Sequence, residues 1–369
     1  MLFSLLMPLA FAQQTQAVFD ELPDMAAPII NGEEATVDDW PMAGAMLLDA
    51  HLDLGQFGSG DIRLWVCSST LIAPDVVLLA AHCLDDYALT FGLGDVTNKD
   101  IRWTRQADLS EYDGSARQTP DWPDDAVAGW DWVMHEDFDL TQLQTGIAEN
   151  DDIALIFLDE AVLDVPHAYV ITSDEADQVV EGVDVVAVGW GMQEASSSPL
   201  QSPPEGTYGY KQVGDSYVGD EGTWEFQVGV EEDDVRKCHG DSGGPSFFQV
   251  ADDGTYEETW RVVGVTSHAY DRTDCDETGG VDTRVSAYLD WIDAEMRSRC
   301  EDGSRVWCDV DGIVPPPEPV AEVEDTGDGA GEEGESPLGG CGCAAAPEPA
   351  GVAWLLGLAG MVLGVRRRG

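Results

Sequence analysis

The chain has 369 residues, an ordinary apolar content of 43%, and an extreme charge balance: 17 Lys and Arg against 72 Asp and Glu, a formal net charge of −55. Such a surface repels nucleic acid and anionic membranes at long range, which excludes functions built on binding them. Only nine of the acidic residues lie between Glu318 and Glu348, so the folded part is itself acidic, as a strongly solvated surface or, alternatively, an adaptation to high salt.

In chain order, Met1 to Ala12 is a short apolar run closing on Ala10-Phe11-Ala12, the small-x-small pattern of a signal peptide cleavage site, and predicts export. From Ile29 to about Cys300, short apolar or β-branched runs alternate with Gly, Asp and Pro clusters, predicting an all-β domain. Strands are expected at 76–80, 153–158, 183–188 and 261–266. Residues 100–146 are polar and rich in Asp and Trp, without alternation, and predict a surface insertion whose Trp122, Trp130 and Trp132 cap the fold or touch substrate. The spacing of Tyr288, Trp291, Ile292 and Met296 predicts a helix over 285–299, with Arg297 and Arg299 complementing its C-terminal dipole.

Residues 301–340 read as an acidic linker, most plainly from Pro315 onward, where Pro, Gly, Glu and Asp cannot bury enough apolar surface to offset chain entropy. Residues 341–369 follow as a tail: Cys341-Gly342-Cys343, an apolar run from Gly351 to Val365, and Arg366-Arg367-Arg368. As a helix that run spans about 22 Å, short of the roughly 30 Å hydrocarbon core. The tail resembles bacterial surface-sorting tails of the myxobacterial type, which implies sorting machinery as a partner and a place at the cell surface. An ordinary single-span anchor is the alternative, with the arginines on the cytoplasmic side in either case.

Three blocks carry chemistry. Gly240-Asp241-Ser242-Gly243-Gly244-Pro245 flanks a serine with glycines, so the backbone can turn sharply and aim N–H groups at one point; the oxyanion donors are assigned to Gly240 and Ser242. Ala80-Ala81-His82-Cys83 puts a histidine at a strand end, where it can serve as general base. Asn150-Asp151-Asp152-Ile153-Ala154-Leu155 supplies the carboxylate that orients the imidazole: Asp152 is the expected residue and Asp151 its neighbouring competitor.

With these blocks in the order His, Asp, Ser, the chain resembles the chymotrypsin/trypsin family of serine proteases (peptidase family S1) from Ile29 to about Arg299. The resemblance implies two six-stranded antiparallel β-barrels with the active site between them and a C-terminal helix. It implies peptide-bond hydrolysis through an acyl-enzyme by His82, Asp152 and Ser242. Ile29-Ile30-Asn31-Gly32 matches the mature N-terminus of the family. That match makes 13–28 a short propeptide, 29–300 the protease domain, and Ile29 the ammonium that pairs with Asp241 after cleavage. Pro28 stands where Arg or Lys is usual, so the activating protease is expected not to be tryptic. The resemblance also pairs Cys67 with Cys83 and Cys238 with Cys275, leaving Cys300 to pair with Cys308, and assigns Cys341 and Cys343 to the tail.

The specificity pocket is expected from Arg236 at its floor, with Ser267, Ala269, Gly280 and Asp282 along its walls; His268 stands where the family commonly has Trp. Arg236 in the place of the tryptic Asp argues against cleavage after Arg or Lys and for an acidic P1 side chain. The competing expectation is that Asp282 neutralises Arg236 and leaves a pocket for a medium-sized side chain. Protein or peptide substrates, a monomer, no cofactor and no metal are expected, since no CxxC or HxxxH spacing occurs. The alternative function is an inactive, protease-like binding module on the cell surface. An esterase would require a G-x-S-x-G elbow within a strand–helix unit and Ser before His; Gly240-Asp241-Ser242-Gly243 has the wrong context and His82 comes first.

Overall fold

The computed structural model describes residues 27–90, 92–113, 120–191, 193, 207–251, 255–271 and 278–317. Strands β1 (Ala27–Ile30) and β2 (Glu33–Glu34) precede a first barrel made of β3 (Ala43–Asp53), β4 (Ser59–Ala73), β5 (Val76–Leu79), β6 (Asp95–Thr104), β7 (Val127–Met134) and β8 (Ala154–Leu158). The six close in the order β3-β4-β5-β8-β7-β6, all antiparallel. β5 and β8 are apolar along their whole length and buried at every residue, as the centre of such a barrel requires.

The second barrel is made of β9 (Asp184–Gly189), β10 (Gln212–Glu221), β11 (Glu225–Val228), β13 (Pro245–Gln249), β14 (Trp260–Ala269) and β15 (Gly280–Arg284), while the short β12 (Arg236–Cys238) lies outside it and pairs with β1. Its order is β11-β15-β14-β13-β9-β10, closed by the pairing of β10 with β11. Full closure leaves neither barrel with a free edge. The fold is thus all-β with two six-stranded barrels and a short C-terminal helix, the trypsin-like architecture.

Two expectations change. The stretch 100–146 is not an insertion throughout, because β7 and the end of β6 are barrel staves inside it. β7 was hidden because nearly all its residues are half-buried on both faces, so the two-residue alternation of a one-sided strand is missing. Its tryptophans face outward: Trp130 packs at 6.2 Å from Phe157, and Trp132 lies under the Lys99 ammonium. Nearby, Trp122 is clasped between the guanidinium groups of Arg63 and Arg102.

The second change is at the other end. After a 3-10 turn over Val285–Tyr288, the helix Leu289–Glu301 buries Ile292 and Met296, but residues 302–317 do not start a linker. The Cys300–Cys308 disulfide closes a loop from which Arg305 reaches Asp75, in the β4–β5 turn, with Nη2–Oδ1 at 2.6 Å and both side chains fully buried. The Trp307 N–H donates to the same carboxylate, and Trp307, Val310 and Ile313 pack on the core. The packed domain therefore runs past the helix to about Val314. Among the described residues no helix is long and apolar enough to cross a membrane. The expected signal segment (1–12), most of the propeptide (13–28), Cys275, the linker beyond Pro317 and the tail with Cys341 and Cys343 lie outside the described residues.

Candidate active site

The site is assembled where the barrels meet. His82 sits in the turn Ala81–Cys83 that follows β5, and Asp152 lies two residues before β8, whose Ala154 pairs with Leu79 of β5. Neighbouring strand ends therefore bring the two together. His82 Nδ1 lies 2.7 Å from Asp152 Oδ2, and the His82 backbone N–H donates to Asp152 Oδ1 at 2.9 Å. From the second barrel, Ser267 Oγ on β14 donates to Asp152 Oδ2 at 2.6 Å, and Thr283 Oγ1 on β15 donates to the Asp152 carbonyl at 2.9 Å. Burial alone would raise the Asp152 carboxyl, but the His82 charge and the hydrogen bonds from His82 and Ser267 together hold it below the usual range. Asp151 instead accepts from Tyr288 Oη at 2.9 Å and does not reach His82.

Ser242 lies in the turn between β12 and β13, and that turn is pinned at both ends. Gly243 N–H donates to Thr266 O at 2.7 Å, Thr266 N–H returns a bond to Gly244 O, and Gly244 N–H closes on Asp241 O. Across the cleft Ser68 Oγ, on β4, donates to Gly240 O at 3.0 Å and accepts from Trp190 N–H, tying the first barrel to the serine turn. Gly240 needs to be glycine: its φ is +100°, and a Cβ there would come within 2.5 Å of the Trp65 ring. The N–H groups of Gly240 and Ser242 donate to no described acceptor. Ser242 Oγ and His82 Nε2 are buried and likewise make no hydrogen bond among the described residues.

Asp241 is fully buried, its carboxylate accepting from Gly191 N–H at 3.1 Å and Cys238 N–H at 3.2 Å. Burial pushes it up to about 7 against those bonds. The carboxylate so crowds β9 that a Cβ on Gly189 would fall 2.0 Å from its Oδ1. Ile29 is fully buried in β1, whose Ala27 and Ile30 pair with Cys238 and Arg236 of β12. Cys67 and Cys83 form a disulfide; their sulfurs, though close to His82, therefore offer no thiolate to a metal. Cys238 is also disulfide-bonded, and its expected partner Cys275 lies outside the described residues.

The expected pocket residues divide. Asp282 is neutralised not by Arg236 but by Lys237, whose Nζ lies 2.7 and 3.0 Å from its two oxygens, with both side chains fully buried. Arg236 turns the other way, Nη2 donating to Glu232 O at 2.8 Å beside Asp234. Backbone alternation explains the swap: on β12 neighbouring side chains face opposite sides, so only one of the two cations can face β15. Gly280 leaves room for Lys237, to whose Cβ a Gly280 Cβ would stand at 3.1 Å. Ser267 and Ala269 lie on β14, next to Gly280 and Val281 of β15.

A sequence-family model described as trypsin matches residues 29–292. The chain belongs to the trypsin family. It is 28% identical over 288 residues to human chymotrypsin-like elastase family member 1, covering 75% of this chain and 96% of that protein. It is 27% identical to bovine chymotrypsin-C, covering 74% and 91%. A solved structure, HL collagenase, covers 74% of this chain and 99% of its own at 21% identity and a TM-score of 0.49. Within this trypsin-family site, sequence reasoning missed Lys237, next to Arg236 on β12, and Glu225, the one acid of the short buried strand β11. The one available signal for Glu225 was its position between Trp224 and Phe226, where a solvated carboxylate is out of place.

Proposed function

We propose that the chain is a serine endopeptidase in which Ser242 attacks the peptide carbonyl, His82 takes its proton and returns it to the leaving amine, and Asp152 fixes the imidazole and stabilises its cation. The observation that carries this reading is the His82–Asp152–Ser267 chain of short bonds. It fixes Nδ1 as the protonated nitrogen and leaves Nε2 free to act as base. The unspent N–H groups of Gly240 and Ser242 are suited to receive the oxyanion. Ser242→Ala should abolish both peptidase activity and labelling by an organophosphonate; turnover that survives it would remove Ser242 as the nucleophile, and a wild-type chain with neither turnover nor labelling would leave the binding-module alternative.

The active form begins at Ile29, whose ammonium would supply the cation that the buried Asp241 lacks contact with in the uncut chain. The chain is exported, and the tail of residues 341–369 holds it at the cell surface. As for specificity, the Lys237–Asp282 pair supports a non-tryptic pocket: Asp282 is already compensated, so a substrate Arg or Lys finds no free carboxylate there. A medium-sized uncharged P1 side chain fits this arrangement best. Arg236 and Lys237 on one strand keep an acidic P1 as the second reading. Matched anilides ending in Leu, Glu and Arg should be cleaved in that order, and fastest cleavage after Arg would overturn the pocket assignment.

A further inference from the structure

Behind Asp152 lies a group of buried side chains that the proposed reaction does not use. Glu225, on β11, is 1% exposed. Its Oε1 accepts from Asn150 Nδ2 at 2.9 Å and its Oε2 from Ala148 N–H at 2.8 Å. Its Oε1 also stands 4.0 Å from His268 Nδ1. His268 Nδ1 is 3.0 Å from Ser267 Oγ, and its Nε2 is 3.2 Å from the Gly146 carbonyl.

The hydrogens can be counted. Ser267 has one hydroxyl hydrogen, committed to Asp152 at 2.6 Å, so towards His268 it presents only lone pairs. The Gly146 carbonyl has nothing to donate. Both ring nitrogens of His268 thus face acceptors, which an imidazolium satisfies and a neutral imidazole cannot. Both Glu225 oxygens face donors, as a carboxylate requires.

We infer that Glu225 and His268 form a buried acid–base pair whose shared proton sets the direction of the hydrogen bonds at Ser267, and through Ser267 the hold of Asp152 on His82. The inference rests on the peptidase reading given above and makes Glu225 and His268 positioning residues. With the proton present, Ser267 accepts from His268 and donates to Asp152. When it is lost, the bare Nδ1 competes for the Ser267 hydrogen, and an uncompensated carboxylate remains beside the triad.

Burial pushes Glu225 up to about 8 and His268 down, so neither charge persists without the other and the pair releases its proton as one unit. The other titratable groups facing it are Asp151 and Asp152 on the loop before β8, His82, and the Tyr288 hydroxyl. Asp151 and Asp152 oppose release of the proton, which is therefore held at lower pH and lost as the pH rises.

The test is the pH dependence of kcat/KM for the activated enzyme, normalised to sites counted with an organophosphonate. The wild type should show, besides the acid limb of its general base, a second one-proton fall of several-fold on the alkaline side. Glu225→Gln and His268→Trp should each keep the acid limb, lose the second inflection, and run at the wild type's alkaline level. Superimposable profiles for wild type and variants would overturn the inference. Should neither variant fold, the 15N spectrum of histidine-labelled wild-type chain decides: both His268 nitrogens protonated at pH 7 support the pair, and a neutral ring throughout refutes it. That readout needs no turnover, so a failure of the peptidase reading is distinguishable from a failure of the pair.

Discussion

Two fully buried aspartates flank the cleft, and their surroundings differ in a way that orders events. Asp152, on the first barrel's side, is met by an imidazole, a backbone N–H and a hydroxyl, and its carboxyl is held low. Asp241, on the serine's side, is met by two backbone N–H groups and is pushed up to about 7. Equal burial gives opposite outcomes because only the first carboxylate has a cation-forming partner in contact. On the proposed peptidase reading, the base half is therefore already assembled, while the nucleophile half carries a carboxylate whose charge is costly until a cation arrives.

The comparison breaks most visibly at Asp152. Asp152→Asn should leave the fold intact and lower kcat by about 10⁴-fold, because the amide selects the wrong imidazole tautomer; a variant within tenfold of wild type would remove Asp152 from the mechanism.

Asp241 should show itself in stability. Its carboxyl is raised in the folded uncut chain from 3.8 to about 7, so its contribution is full below pH 3.8 and is lost as the pH climbs to 7. That loss is about 4 kcal/mol by linkage. In an uncut Ser242→Ala background, Asp241→Asn should raise the urea midpoint at pH 7 and leave it nearly unchanged at pH 4, and a midpoint equally shifted at both pH values would contradict the assignment. Smallest is Ser267→Ala, which takes one donor from Asp152. A hydrogen bond to a charged group is worth about 1.5–3 kcal/mol, so kcat/KM should fall by roughly 10- to 100-fold.

What could be read in the sequence follows from what is local. His82 and Ser242 sit in blocks of four to six residues whose backbone turns are written in the same residues, and the buried runs of β5 and β8 are continuous in apolar letters. The helix was visible because Ile292 and Met296 keep helical spacing. β7 was not, since a strand half-buried on both faces has no period. Lys237 and Asp282 are 45 positions apart, and a charge in a string of letters carries no sign of being buried. Glu225 and His268 likewise meet only through the closure of the second barrel. The packed segment after the helix was lost for a compositional reason: its anchors are Arg305, Trp307 and a disulfide, set among Asp and Gly that read as linker.

That segment also has a mechanical consequence. Arg305 and Asp75 join the chain beyond the helix to the β4–β5 turn of the first barrel, and the Cys300–Cys308 loop is closed covalently around the junction. A tug applied past Pro317 would accordingly be borne by the ion pair and the disulfide loop, and passed into the first barrel as shear along paired strands. The helix shares that load, because Cys300 lies in it and its Asp293, Met296 and Arg297 bond to the same segment, whereas among the described residues the serine turn and the second barrel make no hydrogen bond or ion pair with that segment. A chain tethered or dragged from that end could thus be pulled without its cleft being pried open.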